Sequence, residues 1–247
     1  MTLLPAFAFF LAVMGALFAS MGLFVWLGPK GNDADQKSKG GQLFLGAGDF
    51  LLNWFMWIIT PLTDFSMRVG LTPDFYNYVG LALGLASGVF IAFGRLELGG
   101  WAIALSGVAD ILDGRIARET RIASDFGDFI DSTFDRFVEV AVFLGFAIFL
   151  REHRLGTLLA GLAMGGSLLV SYARARGEAL NVLCTGGLMQ RGERLVLTSL
   201  ICLADAGLSA WLGWQRGTAV LWVLALIAAT TFVTAVHRTI WIAARLR

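Results

Sequence analysis

The sequence predicts an all-α integral membrane protein in which several long apolar helices form one bundle. The 247-residue chain is 57% hydrophobic and only 15% charged, and its mean hydropathy is +0.73. A soluble domain usually carries about 25% charged residues, so most of this protein's surface must face something other than water. Apolar stretches of about 20 residues, the length that spans a bilayer as a helix, recur along the chain.

The first apolar stretch, residues 3–27, contains no charged side chain. The residues before it carry no basic side chain, whereas a secretory signal peptide usually begins with one. We therefore predict a retained transmembrane helix within residues 1–28, outside the main bundle. A polar linker that holds three lysines follows at residues 29–42.

Residues 43–70 are rich in aromatic side chains and leucine, but charged residues such as Asp49 and Asp64 interrupt them. This pattern is typical of a helix that lies in the membrane interface, with Trp54 and Trp57 at the level of the lipid headgroups. Another spanning helix is the alternative. Six transmembrane helices are then predicted between residues 74 and 247, at 75–94, 98–118, 126–150, 155–176, 194–212 and 218–244.

Glycines recur at four-residue spacing in two of these segments. Gly80, Gly84 and Gly88 lie in the first segment, and Gly161 and Gly165 lie in the fourth. In lipid, small residues at this spacing allow helix backbones to approach closely. We interpret both runs as packing faces and not as functional motifs.

The distribution of charge predicts the orientation. If the helix ends near the aspartates are cytosolic, only four of the nineteen basic residues lie on the opposite side, namely Arg95, Arg151, Arg154 and Arg216. The positive-inside rule favours this arrangement, so we expect a cell (inner) membrane protein whose polar site faces the cytosol. The net charge of +1 and the lack of any basic run argue against a nucleic-acid partner.

Six aspartates lie between positions 110 and 135, and at least four of them fall inside apolar helical stretches. An aspartate at the centre of a spanning helix costs about 2.5–3.5 kcal/mol, so four unpaired ones would cost on the order of 10 kcal/mol. Ionisable residues at membrane depth are functional candidates by default. These aspartates are therefore the strongest functional signal in the chain.

The spacing of four of these aspartates predicts a metal site. Asp110 and Asp113 are three residues apart on one helix, and Asp131 and Asp135 are four apart on the next, so each pair projects from one face. Two such helices facing each other bring four carboxylates together, and a divalent cation relieves their repulsion most simply. Oxygen ligands suit Mg²⁺, Mn²⁺ or Ca²⁺ and not zinc. Two such ions could clamp a diphosphate.

Small residues and one arginine accompany the aspartates. Gly114 lets a ligand approach the backbone, Ala117 keeps the same face small, and Gly127 leaves space beside the second pair. Arg118, one turn beyond Gly114, can pair with a phosphate. In the alternative interpretation the aspartates merely pair with neighbouring arginines at positions 115, 118, 121 and 136. Such pairing alone does not require small residues at these positions.

The pattern Asp110-x-x-Asp113-Gly114-x-x-Ala117-Arg118, eight residues, then Gly127-x-x-x-Asp131-x-x-x-Asp135 resembles the complete signature of the CDP-alcohol phosphotransferase family. The resemblance covers residues 43–247. It implies a six-helix transmembrane core preceded by an interfacial helix. The helix at 3–27 lies outside that core.

The resemblance also implies an activity and a role for each motif residue. Members transfer a phosphate-linked group from a CDP-linked donor, here a lipid such as CDP-diacylglycerol, to an alcohol and release CMP. Two divalent ions, Mg²⁺ or Mn²⁺, would be bound by Asp110, Asp113, Asp131 and Asp135, and Asp135 would also act as the general base. The CDP moiety would contact Asp74, Asn77, Asp110, Gly114, Ala117, Arg118 and Gly127. A homodimer is typical of the family.

Arginines near the cytosolic ends of the last three predicted helices favour a phosphorylated acceptor, since its dianion must be held near carboxylates. Ordinary positive-inside charge is the alternative. Ser-Tyr-x-Arg-Ala-Arg at 171–176, followed by Arg-x-Glu-Arg at 191–194, resembles the phosphatidylinositol-phosphate synthase branch, which uses inositol 1-phosphate. By that resemblance the acceptor phosphate binds to Ser171, Arg174, Arg194 and Arg238. Glycerol 3-phosphate is the first rival acceptor, followed by serine or another alcohol.

A divalent-cation transporter is a further alternative, in which the aspartates would line an ion pathway. A pathway needs polar residues on both sides of the membrane midplane. Here the polar residues cluster towards one side, while the outer halves of the predicted helices are nearly all apolar. The sequence therefore favours the transferase.

Overall fold

The computed structural model describes residues 3–28, 48–184 and 186–247, and its regular structure there is entirely α-helical. Its helices are α1 (Leu3–Leu27), α2 (Gly48–Val69), α3 (Pro73–Ala92), α4 (Leu96–Glu119), α5 (Asp125–Phe149), α6 (Gly156–Glu178), α7 (Arg191–Leu212) and α8 (Thr218–Arg245). Each lies where the sequence predicts a helix. The predicted linker at 29–42 and the first residues of the predicted interfacial helix, 43–47, lie outside the described residues.

Among the described residues, five helices are long and apolar enough to cross a membrane: α1, α3, α6, α7 and α8. α4 and α5 are as long, at 24 and 25 residues, but they carry the clustered aspartates. They pack within the same bundle, and that they span the membrane stays a prediction. α2 does not reach that apolar composition, which agrees with an interfacial position. The protein is an all-α integral membrane protein.

The packing of α3 against α4 and α5 sets the geometry of the site end. Gly80 and Gly84 are buried in this contact, and a Cβ on Gly84 would collide with the side chain of Val138 on α5. One turn further, a Cβ on Gly88 would collide with the backbone of Ala141. This close approach confirms the packing face predicted from the first glycine run.

The second glycine run makes no such close contact with another helix. No atom of the described residues lies within 4 Å of a Cβ built on Gly161 or Gly165. Their neighbour Gly166 makes the close contact instead, because a Cβ there would meet Thr231 of α8. The prediction that Gly161 and Gly165 pack against another helix is therefore wrong within the single chain.

The larger of two buried apolar clusters reaches the end of the bundle away from the aspartates, while a smaller one that includes Leu112 and Ile116 lies beside them. Ile91 lies in the last turn of α3, Leu96 is the first residue of α4, and Phe146 lies near the end of α5. All three side chains are fully buried. Leu224, near the start of α8, belongs to the same larger cluster. Apolar packing therefore holds the helices together on both sides of the polar site.

Hydrogen bonds attach α2 to both of its neighbours. Arg115 of α4 donates from Nη1 to the carbonyl oxygen of Met56, at 2.8 Å, and to Oγ1 of Thr60, at 3.0 Å. Trp54 donates from Nε1 to Oγ of Ser20 on α1, at 3.1 Å. Arg115 therefore attaches α2 to α4. It does not pair with the clustered aspartates, as the alternative interpretation required.

Candidate active site

Three helices begin at the aspartate end of the bundle, and side chains cap each of them. Thr72 caps α3 and Ser124 caps α5, each hydroxyl accepting a hydrogen bond from a backbone N–H, at 3.3 and 3.2 Å. Gln190 and Glu193 form a capping box at the start of α7. The N-terminus of a helix carries partial positive charge, so each of these starts adds positive potential to this end of the bundle.

Four aspartates meet between α4 and α5. Asp110, Asp131 and Asp135 each place a carboxylate oxygen within 4.8 Å of the others. Asp113 lines the same cavity. The two helices thus face each other with their carboxylates, as the spacing predicted.

The space around these carboxylates, counted together with its opening to solvent, is about 250 Å³. Besides the four aspartates, its lining includes Tyr76, Asn77 and Gly80 of α3, Ser106 of α4, Phe134 and Val138 of α5, and Arg191 of α7. α3, α4, α5 and the first residue of α7 therefore enclose one polar opening. This opening lies about two to three helical turns from the nearest ends of α4 and α5.

The donor atoms of the cavity fit a hard divalent cation. Its lining offers carboxylate, amide and hydroxyl oxygens and no histidine or cysteine. Asp113 is buried, its Oδ1 accepts a hydrogen bond from the N–H of Gly114, and its Oδ2 has no hydrogen-bond partner among the described residues. A buried, unpartnered carboxylate oxygen is costly, and a metal ion would satisfy it. The set therefore suits Mg²⁺, Mn²⁺ or Ca²⁺.

Arg191 is the site residue that the sequence prediction missed. Its Nη1 donates to both carboxylate oxygens of Asp110, at 3.0 and 3.1 Å, and its Nη2 pairs with Asp135. The sequence places Arg191 in a basic motif, but only the fold shows that the first residue of α7 reaches both aspartate pairs. Of the arginines in the alternative interpretation, Arg136 approaches Asp135 at 3.6 Å.

A second cavity, about 370 Å³ when its opening to solvent is included, adjoins the first. Asp135, Val138 and Arg191 line both cavities, so these residues stand between them. Arg194 and Glu139 line the second cavity, together with apolar side chains such as Phe143. Arg194 is only 2% exposed, and its Nε donates to Oε1 of Glu139 at 2.8 Å.

The residues predicted to bind CDP divide into two groups. Asn77 and Asp110 line the first cavity. Gly114 lies beneath the guanidinium of Arg118, since a Cβ on Gly114 would be 3.1 Å from Nη1 of that arginine. Gly114 and Arg118 line neither cavity, and nor do Asp74, Ala117 and Gly127. The N–H of Gly127 donates to the Ser124 hydroxyl that caps α5.

The residues predicted to bind the acceptor phosphate do not all converge. Arg194 is the member of that set that lines a described cavity. Arg238 is buried and donates to the carbonyl oxygens of Gly186 and Val170, at 2.9 and 3.0 Å. Arg174 is exposed and pairs with Glu178 on its own helix, at 2.8 Å, while Ser171 is half-buried.

Comparison with known proteins identifies the family. Residues 71–186 match the model of the CDP-alcohol phosphatidyltransferases. The chain is 31% identical over 189 residues to archaetidylinositol phosphate synthase of Methanothermobacter thermautotrophicus, covering 76% of this chain and 90% of that protein. The chain belongs to the CDP-alcohol phosphatidyltransferase family. This phosphatidyltransferase is also 33% identical over 195 residues to phosphatidylinositol phosphate synthase of Mycobacterium tuberculosis, covering 76% of this chain and 87% of that one.

Solved structures agree with the family and the fold. The phosphatidyltransferase resembles crystal structures of Mycobacterium tuberculosis phosphatidylinositol phosphate synthase at 30% identity. With CDP-DAG bound, that structure matches with a TM-score of 0.64 over 75% of this chain and 93% of the other. With manganese and citrate, it matches with a TM-score of 0.64 over 74% and 88%.

Membership of this family makes the protein a transferase, which confirms the predicted enzyme class and disfavours the cation-transporter alternative. The manganese complex of the relative agrees with the oxygen-rich cavity seen here, so Mg²⁺ or Mn²⁺ is the expected cofactor. The family segment, 71–186, contains every residue of the aspartate signature but ends before α7. Arg191 and Arg194 therefore lie beyond it.

Proposed function

We propose that this phosphatidyltransferase moves the phosphatidyl group of CDP-diacylglycerol to inositol 1-phosphate and releases CMP. The observation that carries the proposal is the pair of adjoining cavities. One contains four carboxylates, and the other contains a buried arginine. The donor is supported by the relative that was crystallised with CDP-DAG. The acceptor is supported by relatives named as inositol phosphate lipid synthases.

In the proposed reaction the acceptor hydroxyl attacks the β-phosphorus of the donor. A new P–O bond forms to the acceptor, and the bond from that phosphorus to the oxygen of the leaving CMP breaks. The hydroxyl proton passes to Asp135, which we assign as the general base. Asp135 is suited to this role because it lines both cavities and therefore lies between the donor and acceptor sites.

Divalent ions held by Asp110, Asp113, Asp131 and Asp135 would neutralise charge on the donor diphosphate and on the departing CMP. The nucleotide would lie towards α3 and the end of α4. Asn77 lines the cavity on the α3 side, and Gly114 leaves room beside the guanidinium of Arg118, which can pair with a phosphate. Asp74, Ala117 and Gly127 complete the proposed CDP site.

We propose that the acceptor phosphate binds next to Arg194, with Ser171, Arg174 and Arg238 completing the site. Arg194 lies one turn along α7 from Arg191 and faces the cavity that Asp135 also lines. In this structure the Arg194 guanidinium pairs with Glu139. Binding of a phosphate dianion would therefore require Arg194 to release Glu139. A charge-assisted pair with the phosphate would replace the one with Glu139.

The proposal includes a homodimer in the cell (inner) membrane, with the two cavities facing the cytosol. Most basic residues lie at the cavity end of the helices, and the positive-inside rule supports this orientation. The homodimer rests on the family resemblance alone.

An assay of CMP release with different acceptors tests the proposed function. Purified protein would receive CDP-diacylglycerol and Mn²⁺ with inositol 1-phosphate, glycerol 3-phosphate or serine in parallel. We expect CMP release that depends on inositol 1-phosphate, a matching phospholipid product, and no release in EDTA. Release with glycerol 3-phosphate alone would keep the chemistry but overturn the acceptor.

A further inference from the structure

Arg191 makes the densest set of charge contacts in the described part of the chain. Its guanidinium contacts both oxygens of Asp110 on α4 and one oxygen of Asp135 on α5. It is the first residue of α7, so these contacts link three helices at one point. The capping box of Gln190 and Glu193 fixes the backbone from which the side chain extends.

These contacts conflict with the binding of metal ions to the same carboxylates. Asp110 and Asp135, whose carboxylates Arg191 contacts, belong with Asp131 to a cluster in which one carboxylate oxygen of each residue lies within 4.8 Å of the others. A carboxylate that already accepts charged hydrogen bonds is a poorer ligand, and a cation beside it repels a second cation. Arg191 and a divalent ion therefore compete for these oxygens.

Arg191 is also close to another acidic side chain, Glu139, which pairs with Arg194. Arg191 lines the second cavity as well as the first, and the carboxylate of Glu139 lies in that second cavity. Rotation of a long arginine side chain about its own bonds could carry the charge from one cavity towards the other.

We propose that Arg191 is a positioning residue that acts as the counterion of the ion-free site. It holds Asp110 and Asp135 together until divalent ions bind, and then turns away from them towards the second cavity. The carboxylate pairs thus stay assembled in the membrane without an ion. The inference rests on the metal-dependent function proposed above, but its test measures metal binding and stability instead of turnover.

The test compares wild-type protein with the Arg191→Gln and Arg194→Gln variants. Dissociation constants for Mn²⁺ would be measured by electron paramagnetic resonance of the free ion, and unfolding temperatures in EDTA and in saturating Mn²⁺. We expect Arg191→Gln to bind Mn²⁺ about tenfold more tightly, because a competing charge is removed. Its unfolding temperature should fall by about 5 °C in EDTA and recover in Mn²⁺.

Arg194→Gln is the matched control, because it removes a buried arginine of the same helix that pairs with Glu139 outside the carboxylate cluster. It should leave Mn²⁺ affinity unchanged and destabilise the protein equally in EDTA and in Mn²⁺. If Arg191→Gln does not fold, Arg191→Lys replaces it. Lysine cannot donate to both carboxylates from one fork, so we expect a smaller increase in affinity in the same direction.

Equal or weaker Mn²⁺ binding by the Arg191 variant would overturn the inference, as would a loss of stability that Mn²⁺ does not restore. Absence of Mn²⁺ binding in both wild type and variant would also overturn it. If the Mn²⁺ results hold while no acceptor supports CMP release, the proposed function fails and the role of Arg191 stands.

Discussion

Asp135→Asn is expected to reduce CMP release by about a thousandfold or more. A positioned general base contributes about 10²–10⁴ to a rate, and this side chain is also proposed to bind metal. Asparagine has nearly the same size but cannot accept the acceptor's proton. The measurement is the initial rate of CMP release by purified protein with saturating CDP-diacylglycerol, Mn²⁺ and inositol 1-phosphate.

Asp128→Asn is the matched control for this variant. Asp128 lies on the same helix, two turns before Asp135, but its side chain is exposed and lines neither described cavity. We expect it to retain at least half of the wild-type rate. Near-normal activity of Asp135→Asn, with an unfolding temperature close to that of wild type, would refute the assignment of the general base.

Gly88→Leu is expected to destabilise the bundle severely. A Cβ at this position already collides with the backbone of Ala141, and backbone of a neighbouring helix cannot move aside as a side chain can. Overpacking of this kind costs about 3 kcal/mol, which lowers the unfolding temperature by about 10 °C in a chain of this size. The measurement is thermal unfolding in detergent, followed by the yield of folded protein.

Activity should be lost together with stability, because the same contact joins the helix that carries Asn77 to the helix that carries Asp131 and Asp135. Gly22→Leu provides the comparison. Gly22 lies in α1, is exposed, and has no atom within 4 Å of a built Cβ among the described residues. Equal unfolding temperatures for both variants would contradict the close approach of α3 and α5.

The fold could be predicted because membrane length and apolar composition constrain a helical bundle strongly. The meeting of the two aspartate pairs could also be predicted, since residues three or four apart share a helix face. A shared face says which side chains project together, but not which distant residue meets them. Arg191 illustrates this limit, because its partners lie 81 and 56 residues earlier in the chain.

The predicted acceptor site shows a second limit. Arginines at helix ends suggested a common phosphate site, and Arg194 does line a cavity beside Asp135. Arg238 of the last helix is also buried, but its guanidinium donates to two backbone carbonyl oxygens. Backbone partners leave no pattern in a sequence. The prediction from the glycine run of α6 is wrong for a related reason. The spacing of small residues does not say which face of a helix packs against a neighbour.

The most direct test of the central claim is the position of bound Mn²⁺. Crystals grown with MnCl₂ would be measured near the manganese absorption edge, and anomalous peaks would be located without reference to the protein model. We predict peaks between α4 and α5, about 2–2.6 Å from oxygens of Asp110, Asp113, Asp131 or Asp135. A folded protein whose manganese peaks all lie elsewhere would contradict the assignment of this cavity as the metal-dependent active site.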